Sequence, residues 1–319
     1  MTAAPTNPTP RVSPRLRIGT RGSPLALAQA NEVRHRLTAA HGDLPAQAIE
    51  IVVISTSGDR VQDRPLAEIG GKGLFTLEIE QGLLSGGIDL AVHSMKDMPT
   101  ELPAGLDIPC LLPREDARDV LISQNAAGLD ELPPGAVIGS ASLRRRAQLL
   151  HRRPDLQMVN FRGNVETRLQ KVAAGEVDAT LLALAGLKRL GLAGRGEIVI
   201  EPEVMLPAVA QGAIGIECRS DDTRILALLA PLNDAATATC VAAERGLLAA
   251  LDGSCRTPIA GHAVLAGEDL HLRALVLRPD GSEMLETERR GKGNQATALG
   301  RDAGQELRRR AGPDFFVAS

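Results

Sequence analysis

Three groupings in this 319-residue chain have residue types suited to chemistry. The first is a run of cations over 140–168: Arg144, Arg145, Arg146, Arg152, Arg153, Arg162 and Arg168, against only Asp155 and Glu166. Arg144 and Arg145 open a predicted helix directly after a predicted strand, and Arg162-Gly163-Asn164 opens the next helix after the next strand. Strand-to-helix turns at the carboxyl ends of strands form the ligand crevice of open α/β sheets. Helix N-termini already favour anions. Cations placed there point to an anionic ligand between them; the alternative is a solvated basic face. Arg21 and Ser23 follow the first predicted strand in the same topological position. The second grouping is Asp97 beside Lys96, again just after a strand. A carboxylate facing a cation-lined crevice can shuttle protons or stabilise a developing cation, whereas on an open surface it would only form a salt bridge. The third is Cys255, in the tight loop 252–258 (DGSCRTP). Arg256 beside it favours the thiolate.

Other chemistries lack their residues. The segment 70–73 (GGKG) has neither phosphate-loop spacing nor a dinucleotide fingerprint, so Lys72 either touches an anion or sits in a permissive turn. Cys110 lies near a strand end, and Cys218 and Cys240 lie in apolar patterns; all three read as core thiols. No His or Cys spacing matches a metal site. With a net charge of -3 and four Phe as the sole aromatics, nucleic-acid partners are not expected. No apolar run approaches the ~18 residues of a membrane span. Arg outnumbers Lys by 31 to 5, which selection for planar forks explains and a GC-rich genome explains equally well. Residues 1–14 are rich in Pro and Thr without an apolar stretch and read as a flexible leader. Four scattered cysteines fit a reducing cytoplasm.

The elements that must position these groups alternate between strand and helix, which argues for α/β architecture. Strands are predicted at 16–20, 49–55, 88–92, 119–123, 137–140, 156–161, 179–184 and 213–218. Helices are predicted from Ser23 to about 40 and over 74–84, 143–152 and 165–174. The polar segment 113–118 (PREDAR) is a candidate hinge, and 213–218 a strand returning to the first domain. A helix over 234–251, three alternating strands (259–265, 270–277, 284–290) and a helix over 296–310 read as a small α+β domain. The division is then a leader 1–14, domain 1 over 15–112 with 213–230, domain 2 over 118–206, and domain 3 over 235–319.

Taken together, 16–27 (LRIGTRGSPLAL), 70–75 (GGKGLF), 88–99 (IDLAVHSMKDMP), 137–145 (VIGSASLRR), 160–169 (NFRGNVETRL), 185–191 (AGLKRLG), 207–219 (PAVAQGAIGIECR) and 244–258 (ERGLLAALDGSCRTP) resemble the porphobilinogen deaminase family, in family order and over about 15–312. The resemblance implies two α/β domains of the periplasmic-binding-protein type plus a small α+β C-terminal domain. It implies a monomeric transferase of tetrapyrrole, porphyrin and heme biosynthesis. Such an enzyme joins four porphobilinogen units head to tail with release of ammonia, then yields hydroxymethylbilane by hydrolysis. It implies a dipyrromethane cofactor held as a thioether on Cys255, and Asp97 as the catalytic carboxylate. Arg21, Ser23, Lys96, Ser142, Arg144, Arg145, Arg162, Arg168 and Arg189 are the matching grips for acetate and propionate side chains, with Lys72 and Gln211 in matching loops. Two positions depart from the pattern: Ala141, where many relatives carry a hydroxyl, and Glu166, among the arginines where relatives often have a small residue. Two other classes stay open on residue patterns alone, a non-enzymatic two-lobed anion-binding protein and a redox protein using Cys255.

Overall fold

A computed structural model describes residues 16–60, 76–194, 196–253 and 257–316. β-Branched and apolar runs in the first third form β1 (Leu16–Thr20), β2 (Ile49–Val53), β3 (Leu90–Ser94) and β4 (Leu106–Leu111). A strand from far along the chain, β10 (Ile214–Arg219), inserts among them, giving the order β2-β1-β3-β10-β4. The middle third forms β5 (Asp119–Ser123), β6 (Val137–Gly139), β7 (Gln157–Val159), β8 (Ala179–Ala183) and β9 (Ile198–Ile200), in the order β7-β6-β8-β5-β9. The two sheets share one plan. Three parallel strands lie in the order second, first, third. Beside the third lies a strand antiparallel to both its neighbours, β10 in one lobe and β5 in the other. In each lobe that strand is the one arriving from the other. The crossings run through 112–118 outward and 201–213 back.

Helices α1 (Pro24–Ala40), a short α2 (Ser57–Arg60) and α3 (Leu77–Leu84) belong to the first lobe; α4 (Leu143–Arg152), α5 (Val165–Ala173) and α6 (Leu184–Arg189) belong to the second. α7 (Thr223–Leu229) packs back onto the first lobe, where Ile225 and Leu229 join a core of Leu16, Ile18, Leu90, Ile214 and Ile216. The last part packs α8 (Ala235–Ala250) and α9 (Ala296–Ala311) on an antiparallel sheet of β11 (Ile259–Ala266), β12 (Asp269–Leu277) and β13 (Met284–Lys292). The expected pair of α/β domains and the smaller α+β domain are thus present. The α8–α9 contact depends on Gly300: a Cβ there would strike the Ala243 carbonyl.

The sequence reading places Cys110 near a strand end but gives no bounds for β4. Its Pro109 reads as a strand breaker, but β4 is an edge strand whose register with β10 shifts beside the proline, and a missing N–H is tolerated there. α6 and α7, seven residues or fewer, were also missed; so short a pattern carries too little periodicity to declare itself.

The three parts meet at the crossings. Buried Glu244 of α8 accepts bonds from Arg114 Nη1 at 2.6 Å and Nη2 at 3.1 Å on the outward crossing. It also accepts from Ala210 N at 2.5 Å on the return crossing and from Ala263 N of β11 at 2.7 Å. Burial alone would lower the Arg114 pKa, but the Glu244 carboxylate outweighs it and the guanidinium is raised. Beside this junction Ala210 sits in the left-handed region at φ 58°, and Gly212 at φ 88° leaves no room for a Cβ against the Glu115 carbonyl.

Candidate active site

A crevice of about 1050 Å³ lies between the lobes, with Val209 of the return crossing and Leu248, Thr257 and Ile259 of the third domain on its wall. Three helix N-termini open into it. Ser23 caps α1 by accepting from Ala26 N at 3.2 Å, Ser142 caps α4 by accepting from Arg145 N at 3.4 Å, and Asn164 caps α5 by accepting from Thr167 N at 2.8 Å. Each cap satisfies an orphan donor, and the positive ends of three helix dipoles face the same space.

The cations of 140–168 divide between two surroundings. Arg144, Arg145, Arg162 and Arg168 line the crevice, while Arg146 is exposed on the far side. Arg152 and Arg153 pair outside with Asp130 and Asp155, each at 2.7 Å. The solvated basic face and the ligand crevice are therefore two sides of one run.

The crevice arginines have an organiser that sequence reading missed. Asp119, the first residue of β5, is fully buried. Its Oδ1 accepts from Arg145 Nη2 at 2.7 Å and from Gln211 Nε2 at 2.9 Å, and its Oδ2 lies 2.7 Å from Arg144 Nη1. Burial would raise this carboxyl, but the Arg144 and Arg145 charges outweigh it and hold it well below the usual range. Gln211 also accepts from Lys96 Nζ at 3.4 Å. Burial pushes the Lys96 ammonium down to about 8, with Arg145 and Arg144 adding to the shift and Asp97 and Asp119 opposing it. Arg168 is lowered to about 10 by burial and by its neighbours Arg145 and Arg162. The Nε atoms of Arg144 and Arg168 are buried and find no hydrogen-bond partner among the described residues.

Asp97 ends a 3-10 turn, Met95–Asp97, that follows β3 directly. It is exposed to the crevice, whereas Met95 and Met98 on either side are buried. Of the other expected residues, Arg21, Ser23, Lys96, Ser142 and Gln211 line the crevice, as do the departing positions Ala141 and Glu166. Arg189 does not. It donates to the Gly212 carbonyl at 2.8 Å and lies 3.6 Å from Glu32 of the first lobe, so it bridges α6 to the crossing and α1. Lys72 and Cys255 fall outside the described residues. Cys110, Cys218 and Cys240 are buried, and burial pushes their thiols up, the first two to about 12 and about 11, as inert core thiols require.

Residues 16–227 match the family described as porphobilinogen deaminase, dipyromethane cofactor binding domain, and residues 238–309 its C-terminal domain. This chain belongs to the porphobilinogen deaminase family. The porphobilinogen deaminase of Paracoccus denitrificans is 61% identical over 301 residues, covering 94% of this chain and 96% of that one. The porphobilinogen deaminase of Nitrobacter hamburgensis is 58% identical, covering 94% and 95%, and the chloroplastic enzyme of Oryza sativa is 56% identical, covering 94% and 85%. Among solved structures, a periplasmic substrate-binding protein of an ABC transporter from Coxiella burnetii is similar at TM-score 0.42 and 15% identity, over 70% of this chain and 94% of that one.

For a porphobilinogen deaminase this places a buried carboxylate under the arginines. Asp119→Asn leaves the Arg144 and Arg145 charges without their buried partner. Breaking such a pair typically costs about 3–5 kcal/mol. Urea unfolding of the variant at neutral pH is expected to show a loss of that order; a loss under about 1 kcal/mol would rule out the organising role.

Proposed function

We propose that this chain is a transferase that joins four porphobilinogen units head to tail, releasing ammonia at each step, and then releases hydroxymethylbilane by hydrolysis. The observation that carries this reading is the crevice itself. An exposed carboxylate at the end of β3, Asp97, stands among cations gathered at three helix N-termini, with Glu166 of α5 the other carboxylate of the lining, in a chain of the porphobilinogen deaminase family.

The crevice fits a polyanionic dipyrromethane. Two buried guanidinium N–H groups, on Arg144 and Arg168, lack an acceptor among the described residues, and buried donors demand one. Each pyrrole carries two carboxylates that supply such acceptors. When bound, the dipyrromethane supplies the pyrrole carbon on which the first unit is joined. Arg21, Ser23, Lys96, Ser142, Arg144, Arg145, Arg162 and Arg168 hold the acetates and propionates, and Val209, Leu248 and Ile259 give the rings an apolar wall. Cys255 is the attachment residue in this reading; it stands two positions before Thr257, which lines the crevice.

Asp97 then performs the chemistry. Loss of ammonia from the aminomethyl pyrrole leaves an electron-poor cation, and a fixed carboxylate stabilises that charge as it forms. The same carboxylate carries a proton to the leaving amine and takes one from the attacked pyrrole carbon. It accepts no hydrogen bond from any described residue, so both oxygens are available to substrate. The surrounding cations hold the anionic substrate, so binding and catalysis are assigned to opposite charges.

In this reading, residues 15–112 with 213–230 contribute the carboxylate, 118–206 the arginine grips and 235–319 the cysteine. The working form is a cytoplasmic monomer with porphobilinogen as its partner. Among the described residues no single helix is long and apolar enough to cross a membrane.

Three measurements test the reading. Intact-mass spectrometry of the purified protein is expected to show an excess of two linked pyrroles, absent in Cys255→Ala; an unmodified mass in active enzyme excludes the primer. In protein already loaded with primer, single-turnover ammonia release by Asp97→Asn is expected to fall by ~10²–10³-fold, and near wild-type release excludes Asp97 as the catalytic group. Lys96 loses its charge as pH rises through about 8, and a neutral amine no longer attracts a carboxylate. kcat/KM, which reports the free enzyme, is therefore expected to decline above that pH. Lys96→Arg keeps its charge and should abolish the decline; an unchanged profile counts against Lys96 as a grip.

A further inference from the structure

Asp97 accepts no side-chain hydrogen bond from a described residue, yet catalysis requires it to hold one position. Its backbone is fixed from both directions. Before it, Met95 N donates to the Ala213 carbonyl at 3.0 Å. After it, Met98 is buried in the core of the third domain, in one cluster with Val241, Ala243 and Leu247 of α8. One turn of α8 also contributes Arg245, whose Nη2 donates to the Pro99 carbonyl at 2.7 Å and approaches the Thr100 carbonyl at 3.4 Å. Burial lowers the Arg245 pKa, and among the described residues no carboxylate offsets the shift. Taking a guanidinium out of water without a counter-charge is costly. Here it is spent on two consecutive carbonyls, two and three residues past Asp97.

We infer that Arg245 is a positioning residue for Asp97, clamping the segment 98–100 so that the carboxylate keeps its place in the crevice. It does not line the crevice and touches no substrate. Its effect reaches the reaction through the backbone of the Asp97 turn. A displacement of about 1 Å in a positioned group can cost ~10²-fold in rate, so loss of the clamp should strike turnover and spare binding.

The inference rests on Asp97 as the catalytic carboxylate, and the test separates the two. In primer-loaded protein, Arg245→Met is expected to lower single-turnover ammonia release at least about tenfold with KM within about twofold of wild type. Arg245→Lys retains one donor and should recover part of the loss. Amide hydrogen exchange at Met98 and Thr100 should accelerate in Arg245→Met. Adding Arg245→Met to Asp97→Asn should cost nothing further, because both changes act on one group. Multiplying losses in the double variant, an unchanged rate, or a change confined to KM would each overturn the positioning role. If Arg245→Met does not fold, Arg245→Lys carries the test, and wild-type turnover with unaltered exchange in that variant overturns it. If Asp97→Asn alone turns over normally, the catalytic reading falls instead.

Discussion

Arg144 and Arg145 are adjacent on one helical turn and both are buried against Asp119, so two like charges are held close together and repel. Lys96, Arg162 and Arg168 face the same crevice and add to that repulsion. Asp119 is the constraint that makes the arrangement stable. One oxygen takes Arg145 and Gln211, the other lies against Arg144, and Gln211 passes the network on to Lys96. The carboxylate neutralises part of the charge without facing the ligand space, so a net positive field survives for an anion. The two arginines are thereby fixed before any ligand arrives, which reduces the ordering cost of binding.

The sequence made the fold legible where patterns were long or bounded by chemistry. β1, β5 and α4 fall on their expected residues because strand alternation or a Ser cap defines each end. The shared plan of the lobes was less visible, since β4 hides behind Pro109 and its one neighbour in the sheet, β10, comes from a distant position. Asp97 and the crevice cations followed from strand-to-helix placement. Asp119 did not. It reads as the polar edge of a strand, and nothing local reveals that two arginines about 25 positions later turn back onto it. Arg114, Glu244 and Arg245 were hidden for the same reason: Arg114 reaches Gln211 and Glu244, 97 and 130 positions on, and Arg245 reaches back 146 positions to Pro99. Arg189 was drawn to the crevice by its motif, whereas the structure spends it on a joint between lobes.

Two buried carboxylates therefore divide the organisation of the molecule. Asp119 sets the charge pattern of the crevice, and Glu244 ties both crossings to the third domain. That domain is coupled to the Asp97 turn as well, since Met95 and Met98 lie in its core. A part that sequence reading assigns to holding a cysteine is thus built into the placement of Asp97.

The exchange of one internal strand between lobes also orders the events of synthesis. All five strands of the second sheet lie between Asp119 and Ile200, so it is complete once that stretch has left the ribosome. The first sheet begins earlier but waits for β10, which separates β3 from β4 and ends at Arg219. Until then β4 has no strand to pair with, and β3 exposes an unpaired edge to whatever chain is nearby. Although domains generally fold from the N-terminus first, here the lobe made first is the lobe finished last, and the nascent chain carries an open template for mispairing over most of its length.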